Sequence, residues 1–162
     1  MYLSVLNMIK VKNIMTKAVI TISSNSSIKE AAKLMNSKSV SSLVVVEKNM
    51  PVAIVSEKDI INGIISKENK VKEIMDREFI IISPITKFLE ISKHLREKKI
   101  RVFPVVQDNN LIGLVTETDM IEATRDFTRF HQIVQEIILT VFGLATAFFL
   151  FYFSPLRASI LG

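Results

Sequence analysis

Leu114-Val115-Thr116-Glu117-Thr118-Asp119 restates, sixty positions later, Ile54-Val55-Ser56-Glu57-Lys58-Asp59. Each copy runs from an apolar strand end through a hydroxyl residue to an aspartate three positions on. The hydroxyl suits a helix N-cap, accepting a hydrogen bond from the first unpaired backbone N–H groups. The aspartate falls in the first helical turn, where the helix dipole favours negative charge. One such match means little, since capping explains it; two in register point to an internal repeat. The register extends outward without a gap. Val11-Lys12-Asn13-Ile14-Met15 matches Val71-Lys72-Glu73-Ile74-Met75, Ile20 and Ile22 match Ile80 and Ile82, and Val45-Val46 matches Val105-Val106.

Within each copy the pattern predicts strand, helix, strand, strand, helix. In the first, Ala18 to Ile22 is a short β-branched run, and Ser27-x-x-Glu30 is a capping box. Ile28, Ala31, Ala32, Leu34 and Met35 follow at helical spacing. Strands over Leu43 to Val46 and Val52 to Val55 flank the turn Lys48-Asn49-Met50-Pro51, and Asp59 opens a helix. The second copy predicts a strand over Phe79 to Ile82, a helix over Thr86 to Glu97, strands over Val102 to Val106 and Leu111 to Val115, and a helix from Glu117. The fold class is α+β. Neither half-sheet can cover its apolar face alone. Packing the two copies together covers both and leaves a pair of related clefts.

These stretches resemble a tandem pair of cystathionine-β-synthase (CBS) domains, a Bateman module. The likeness spans about residues 8 to 125. It rests on Ile14-Met15-Thr16, the helix from Ser27 to Met35, Leu43-Val44-Val45-Val46, Ile54 to Asp59, Ile100-Arg101-Val102-Phe103-Pro104-Val105-Val106, and Gly113 to Asp119. The resemblance implies a regulatory module that binds an adenosine derivative, either AMP, ADP, ATP or S-adenosylmethionine, between the repeats. It implies that Asp59 with Ser56, and Asp119 with Thr116, hold ribose and phosphate. The chemistry is sound, because a carboxylate accepts two hydrogen bonds from a cis-diol and a helix N-terminus offers N–H groups to an anion. The plain alternative is that both pairs only cap helices. The resemblance also places Ser41 and Ser42 in one cleft, Arg101 and Val102 in the other, and Thr16 with Ile20 and Asp76 with Ile80 along the adenine pockets. Grouped by copy, the second site has the cation Arg101 and an extra acid, Asp76, and the first has no cation. Ala53 replaces the glycine expected there and seen at Gly113, so its β-carbon is expected to crowd the first cleft.

Composition narrows the function. With no cysteine, disulfides, thiolate metal sites and cysteine nucleophiles are excluded. Two histidines, His94 and His131, make no zinc pattern. No phosphate-binding loop or nucleophile elbow occurs, so no catalytic residue, metal or required cofactor is assigned, and the chain is not read as an enzyme. The net charge of +5 comes from lysines spread along the chain, which disfavours a nucleic-acid surface.

After Asp119 the helical pattern continues. Residues 120 to 136 carry charges, whereas Ile137 to Phe153 carries none and ends in Phe148, Phe149, Phe151, Tyr152 and Phe153. Seventeen apolar residues reach the short end of the ~17–25 that cross a bilayer, and the aromatic residues suit an interface. A transmembrane anchor, a buried dimerisation helix and a disordered end are the three readings. The organisation expected is a first repeat with a short N-terminal helix at 1–66, a second repeat at 67–125, a helical connector at 126–136, the span at 137–153 and a tail at 154–162. Arg125 and Arg129 before the span, against Arg157 after it, favour the module on the cytoplasmic side of the membrane. Expected partners are a small adenosine ligand, a second copy in a homodimer, the membrane, and a regulated protein that the sequence does not identify. A ligand-free assembly module is the competing function.

Overall fold

Sixty-residue periodicity governs the core as it does the sequence. In the computed structural model, which describes residues 9–98 and 100–153, matched positions are buried as pairs. Val11 and Val71, Ile22 and Ile82, Leu43 and Phe103, Val45 and Val105, Val55 and Val115, and Ile60 and Met120 are all interior. The chain divides near Ile121 and Glu122 into a unit holding the repeats and a C-terminal helical unit.

The first repeat contains β1 (Thr21–Ser23), α1 (Ile28–Lys38), β2 (Ser42–Glu47), β3 (Met50–Ser56) and α2 (Glu57–Ile65). β1 runs parallel to β2, and β2 antiparallel to β3, in a three-stranded sheet. β2 and β3 turn through Lys48 and Asn49, both at positive φ (49° and 67°), the conformation that keeps the twist of a two-residue hairpin. The strands therefore reach the turn, and Pro51 lies within β3, opposite Val46 at a register shift. α1 starts as its sequence predicts. Ser27 Oγ accepts the Glu30 N–H, and the Glu30 carboxylate accepts the Ser27 N–H at 2.8 Å. That backbone hydrogen bond holds the Glu30 carboxyl below its ordinary pKa.

The second repeat has α3 (Val71–Ile74), α4 (Phe88–Lys98), β4 (Val102–Gln107), β5 (Asn110–Thr116) and the start of α5 (Glu117–Phe153). Glu73 accepts the Asn69 and Lys70 N–H groups (2.9 and 2.8 Å) at the start of α3, and the Lys70 N–H foremost lowers its pKa. The strand expected over Phe79 to Ile82 shrinks to one parallel bridge, Ile82 with Val105, beside a two-stranded sheet. Proline chemistry accounts for this. In the first repeat the Val44 N–H donates to the Ile20 carbonyl (3.3 Å). The counterpart of Val44 is Pro104, which has no N–H to give to Ile80.

The helix expected over residues 1–10 falls mostly outside the described residues. At its end Lys10 is extended, bridging Lys87, and the Ile9 carbonyl accepts the Phe88 N–H (3.0 Å). α5 runs unbroken from Glu117 to Phe153, and a β-carbon at Gly143 would meet nothing within 4 Å beyond the adjoining backbone of the helix. By length and composition it is apolar enough to cross a membrane, and its apolar stretch is exposed along the helix. The tail expected at 154–162 lies outside the described residues.

Candidate functional site

Each repeated motif forms a strand-to-helix corner. At the first, the Ser56 N–H and Oγ–H both donate to Asp59 Oδ2, at 2.8 and 2.6 Å, while Ser56 Oγ accepts the Asp59 N–H at 3.4 Å. At the second, the Thr116 N–H and Oγ1–H donate to Asp119 Oδ2, each at 2.7 Å, and Thr116 Oγ1 accepts the Asp119 N–H at 3.3 Å. Both aspartates thus cap helices, and each spends one carboxylate oxygen doing so.

The second oxygen separates the two corners. Asp119 Oδ1 accepts the Thr16 hydroxyl at 3.3 Å. Thr16's counterpart is Asp76, whose carboxylate has no proton to give. Instead Asp76 Oδ1 accepts the Glu78 N–H (2.8 Å), a local turn. Asp59 Oδ1 therefore has no hydrogen-bond partner among the described residues.

The repeats face each other across these corners. Thr16 bridges Leu114, just before Thr116, and Asp76 bridges Ile54, just before Ser56, through the mutual backbone bonds Ile54 N–H to Asp76 O (2.9 Å) and Asp76 N–H to Ile54 O (2.8 Å). The grouping by copy is corrected accordingly. Ser56 and Asp59 of the first repeat share a cleft of about 570 Å³ with Asp76, Ile80, Arg101 and Val102 of the second. The cation and the extra acid both face the first repeat's aspartate. Asp119 and Thr116 stand with Thr16 at the other corner. Ser42 registers with Ser56, and the Ser41 carbonyl accepts the Glu57 N–H (3.0 Å); Ile20 is half-buried. None of Thr16, Ile20, Ser41 and Ser42 lines this cleft.

Ala53 does not crowd the cleft. Its side chain is fully buried in the first repeat's core, and the Ile54–Asp76 bridge forms as the Leu114–Thr16 bridge does. At Gly113 a β-carbon would lie 2.7 Å from Met15 Sδ, so that side chain would have to shift.

Sequence reasoning missed Ile54, Glu78, Phe79 and Ile100 as cleft residues. It also missed the ion pair of Arg101 with Glu117, the first residue of α5. The backbone reinforces that link, as the Glu117 N–H donates to the Arg101 carbonyl (3.1 Å). The available signal was Arg101 preceding a strand whose hairpin partner ends at Thr116, one residue before Glu117; the matching pair, Ser41 and Glu57, has no cation.

A family model described as CBS domain matches residues 11–66 and again 71–126. The chain belongs to the CBS-domain family. Among its relatives, protein MJ1232 of Methanocaldococcus jannaschii, described as uncharacterized, is 33% identical over 115 residues, covering 70% of this chain and 39% of the relative. The chain thus spans about two fifths of that protein's length. Among solved structures, the CBS domain pair of protein MJ0100, in complex with 5′-methylthioadenosine and S-adenosyl-L-methionine, superposes with a TM-score of 0.67 at 29% identity, covering 71% of this chain and 94% of that one. CBSX2 in complex with AMP superposes with a TM-score of 0.65 at 26% identity, covering 74% and 98%.

Proposed function

We propose that this CBS pair is a regulatory module that binds an adenosine derivative in the cleft between its repeats and is tethered to a membrane by α5. The observation that carries the reading is the hydrogen-bond state of Asp59. One oxygen is fixed by Ser56, so the carboxylate is held in place, and the other is left without a partner at the edge of the cleft. A sugar diol presents two hydroxyl donors to such an oxygen. Ile54, Ile80 and Val102 supply the apolar wall an adenine ring needs, and ~300–1,000 Å³ is the usual range for small-ligand pockets. The adenosine compounds bound by MJ0100 and CBSX2 support the ligand class. Ser56, Asp59, Ile80, Arg101 and Val102 contact the ligand in this reading; Thr116 and Asp119, with Thr16, Ile20, Ser41 and Ser42, form the second, related corner.

Support for the tether comes from α5. Residues 137–153 measure about 26 Å at 1.5 Å per residue, close to the ~30 Å hydrocarbon layer. The two threonine hydroxyls of this stretch need no outside partner. Thr140 Oγ1 donates to the Glu136 carbonyl (2.8 Å), and Thr146 Oγ1 to the Phe142 and Gly143 carbonyls (each 2.9 Å). Lipid tolerates only backbone and side-chain polar groups satisfied in this way. Ile61, Ile64 and Ile65 of α2 and Ile121 of α5 are exposed apolar side chains, which supports pairing with a second copy. Two positive residues before the span, Arg125 and Arg129, support a cytoplasmic module.

Two measurements test this. Calorimetric titration of the full chain in detergent micelles with adenosine, AMP, ATP and S-adenosylmethionine is expected to give saturable heat with at least one of them. Fractionation of cells making the full chain is expected to leave it in a carbonate-resistant membrane pellet. Absence of heat at millimolar ligand refutes the sensing role, and release by carbonate refutes the span.

A further inference from the structure

The charges around the cleft identify which adenosine derivatives it accepts. Asp59, Asp76 and Glu78 line it, and Arg101 is the one basic side chain among its described lining residues. Arg101 is already engaged by a fourth carboxylate, Glu117. An incoming phosphate therefore meets three acids and a guanidinium whose charge is partly answered. Only Nη1 of Arg101 is taken by Glu117, so a phosphate can still reach its other N–H groups, but it does so beside Glu117 and the acids of the cleft walls, and like-charge contacts oppose binding.

Two of the three acids, Asp59 and Asp76, are held in place by backbone N–H groups. Asp76 is fixed to the wall that bears Ser56 by its two bonds to Ile54, and its carboxylate is held by the Glu78 N–H. A phosphate cannot push it aside without breaking that turn. Position 76 is also where the two halves of the chain diverge in charge, because the equivalent residue in the first repeat is the neutral Thr16.

Resting on the adenosine reading above, we infer that the Asp59–Asp76 cleft selects adenosine derivatives whose 5′ substituent is neutral or cationic and discriminates against 5′-phosphates. The diol requirement and the charge requirement then fall on different groups. Asp59 recognises the sugar that all these ligands share, whereas Asp76 and Glu78 read the substituent that distinguishes them.

The test is a ligand series on the full chain in detergent micelles, measured by calorimetry: adenosine, 5′-methylthioadenosine, S-adenosylmethionine, AMP and ATP. The expected order places S-adenosylmethionine and the neutral nucleosides at least about tenfold tighter than AMP, with ATP weakest, since like charges across an interface cost affinity. Asp76→Asn keeps an amide oxygen for the Glu78 N–H and removes the charge. It is expected to raise the affinity for AMP relative to adenosine by about tenfold. AMP or ATP binding as tightly as adenosine in the unmodified chain overturns the selection while leaving the adenosine reading intact. An unchanged AMP-to-adenosine ratio in Asp76→Asn overturns the role of Asp76. Heat from none of the five refutes the adenosine reading itself, and the selection with it.

Discussion

Asp59→Asn separates the two jobs of one carboxylate. In the native corner, Oδ2 accepts the Ser56 N–H at 2.8 Å and the Ser56 hydroxyl at 2.6 Å. An asparagine oxygen can take that place, so the cap survives as a neutral hydrogen bond. The cost to folding is expected to be about 0.5 kcal/mol, at the low end of cap substitutions, which moves the melting temperature by roughly 1–2 °C for a chain of this size. The amide nitrogen then occupies the position of Oδ1, where it donates rather than accepts. A sugar hydroxyl that would have donated to a carboxylate loses a charge-assisted bond of about 1.5–3 kcal/mol, or roughly 10- to 150-fold in affinity. Calorimetry with 5′-methylthioadenosine and a thermal melt followed by circular dichroism read the two quantities separately. Asp119→Asn is the companion, because Asp119 Oδ1 is already satisfied by Thr16 and Asp119 stands outside the cleft. Its effect on binding is expected to stay within about threefold. If Asp59→Asn binds as the unmodified chain does, the carboxylate is a helix cap and nothing more, and its assignment to the sugar diol falls.

Three further outcomes follow from the packing. Leu43→Ala, at a side chain 1% exposed in the first repeat's core, is expected to cost about 2–5 kcal/mol, read as a lower urea midpoint with unchanged slope. His94 occupies the place of Leu34 in the other copy, and its buried Nδ1 has no hydrogen-bond partner among the described residues. His94→Leu is therefore expected to stabilise the chain by about 1 kcal/mol, and a lowered urea midpoint would show that the imidazole is satisfied. Glu30 has a folded pKa below its ordinary 4.5, chiefly because it accepts the Ser27 N–H. Its contribution to stability is present above that ordinary value and is lost as pH falls through the lowered one. Glu30→Gln is expected to reduce stability at pH 6 and to converge on the unmodified chain as pH falls through the lowered pKa; a gap that does not narrow with falling pH would rule out the linkage.

The fold was legible because the repeat wrote its core pattern twice. Val45 with Val105, and Val55 with Val115, read as strands from their pattern alone, and the helix caps at Ser27, Ser56 and Thr116 are local features that spacing reveals. The lost strand at Phe79 to Ile82 was harder to see, since it depends on Pro104 lacking one N–H across a sheet. The cleft's membership was harder still. Periodicity assigns Arg101 and Asp76 to the second copy and Asp59 to the first, and this is correct along the chain. It says nothing about which corner each faces once the halves pack. That exchange is set by backbone bridges such as Ile54 with Asp76, which connect residues with no pattern in common.

Pro104 stands opposite Val44, Asp76 opposite Thr16, Arg101 opposite Ser41 and His94 opposite Leu34. Each such mismatch gives the polypeptide an experiment with its own control, performed at the same concentration, temperature and solvent composition. Exchanging the members of a pair, first one way and then the other, asks whether a property travels with the amino acid or stays with the location. Here residue and location can be told apart within a single molecule, and the comparison needs no second protein at all.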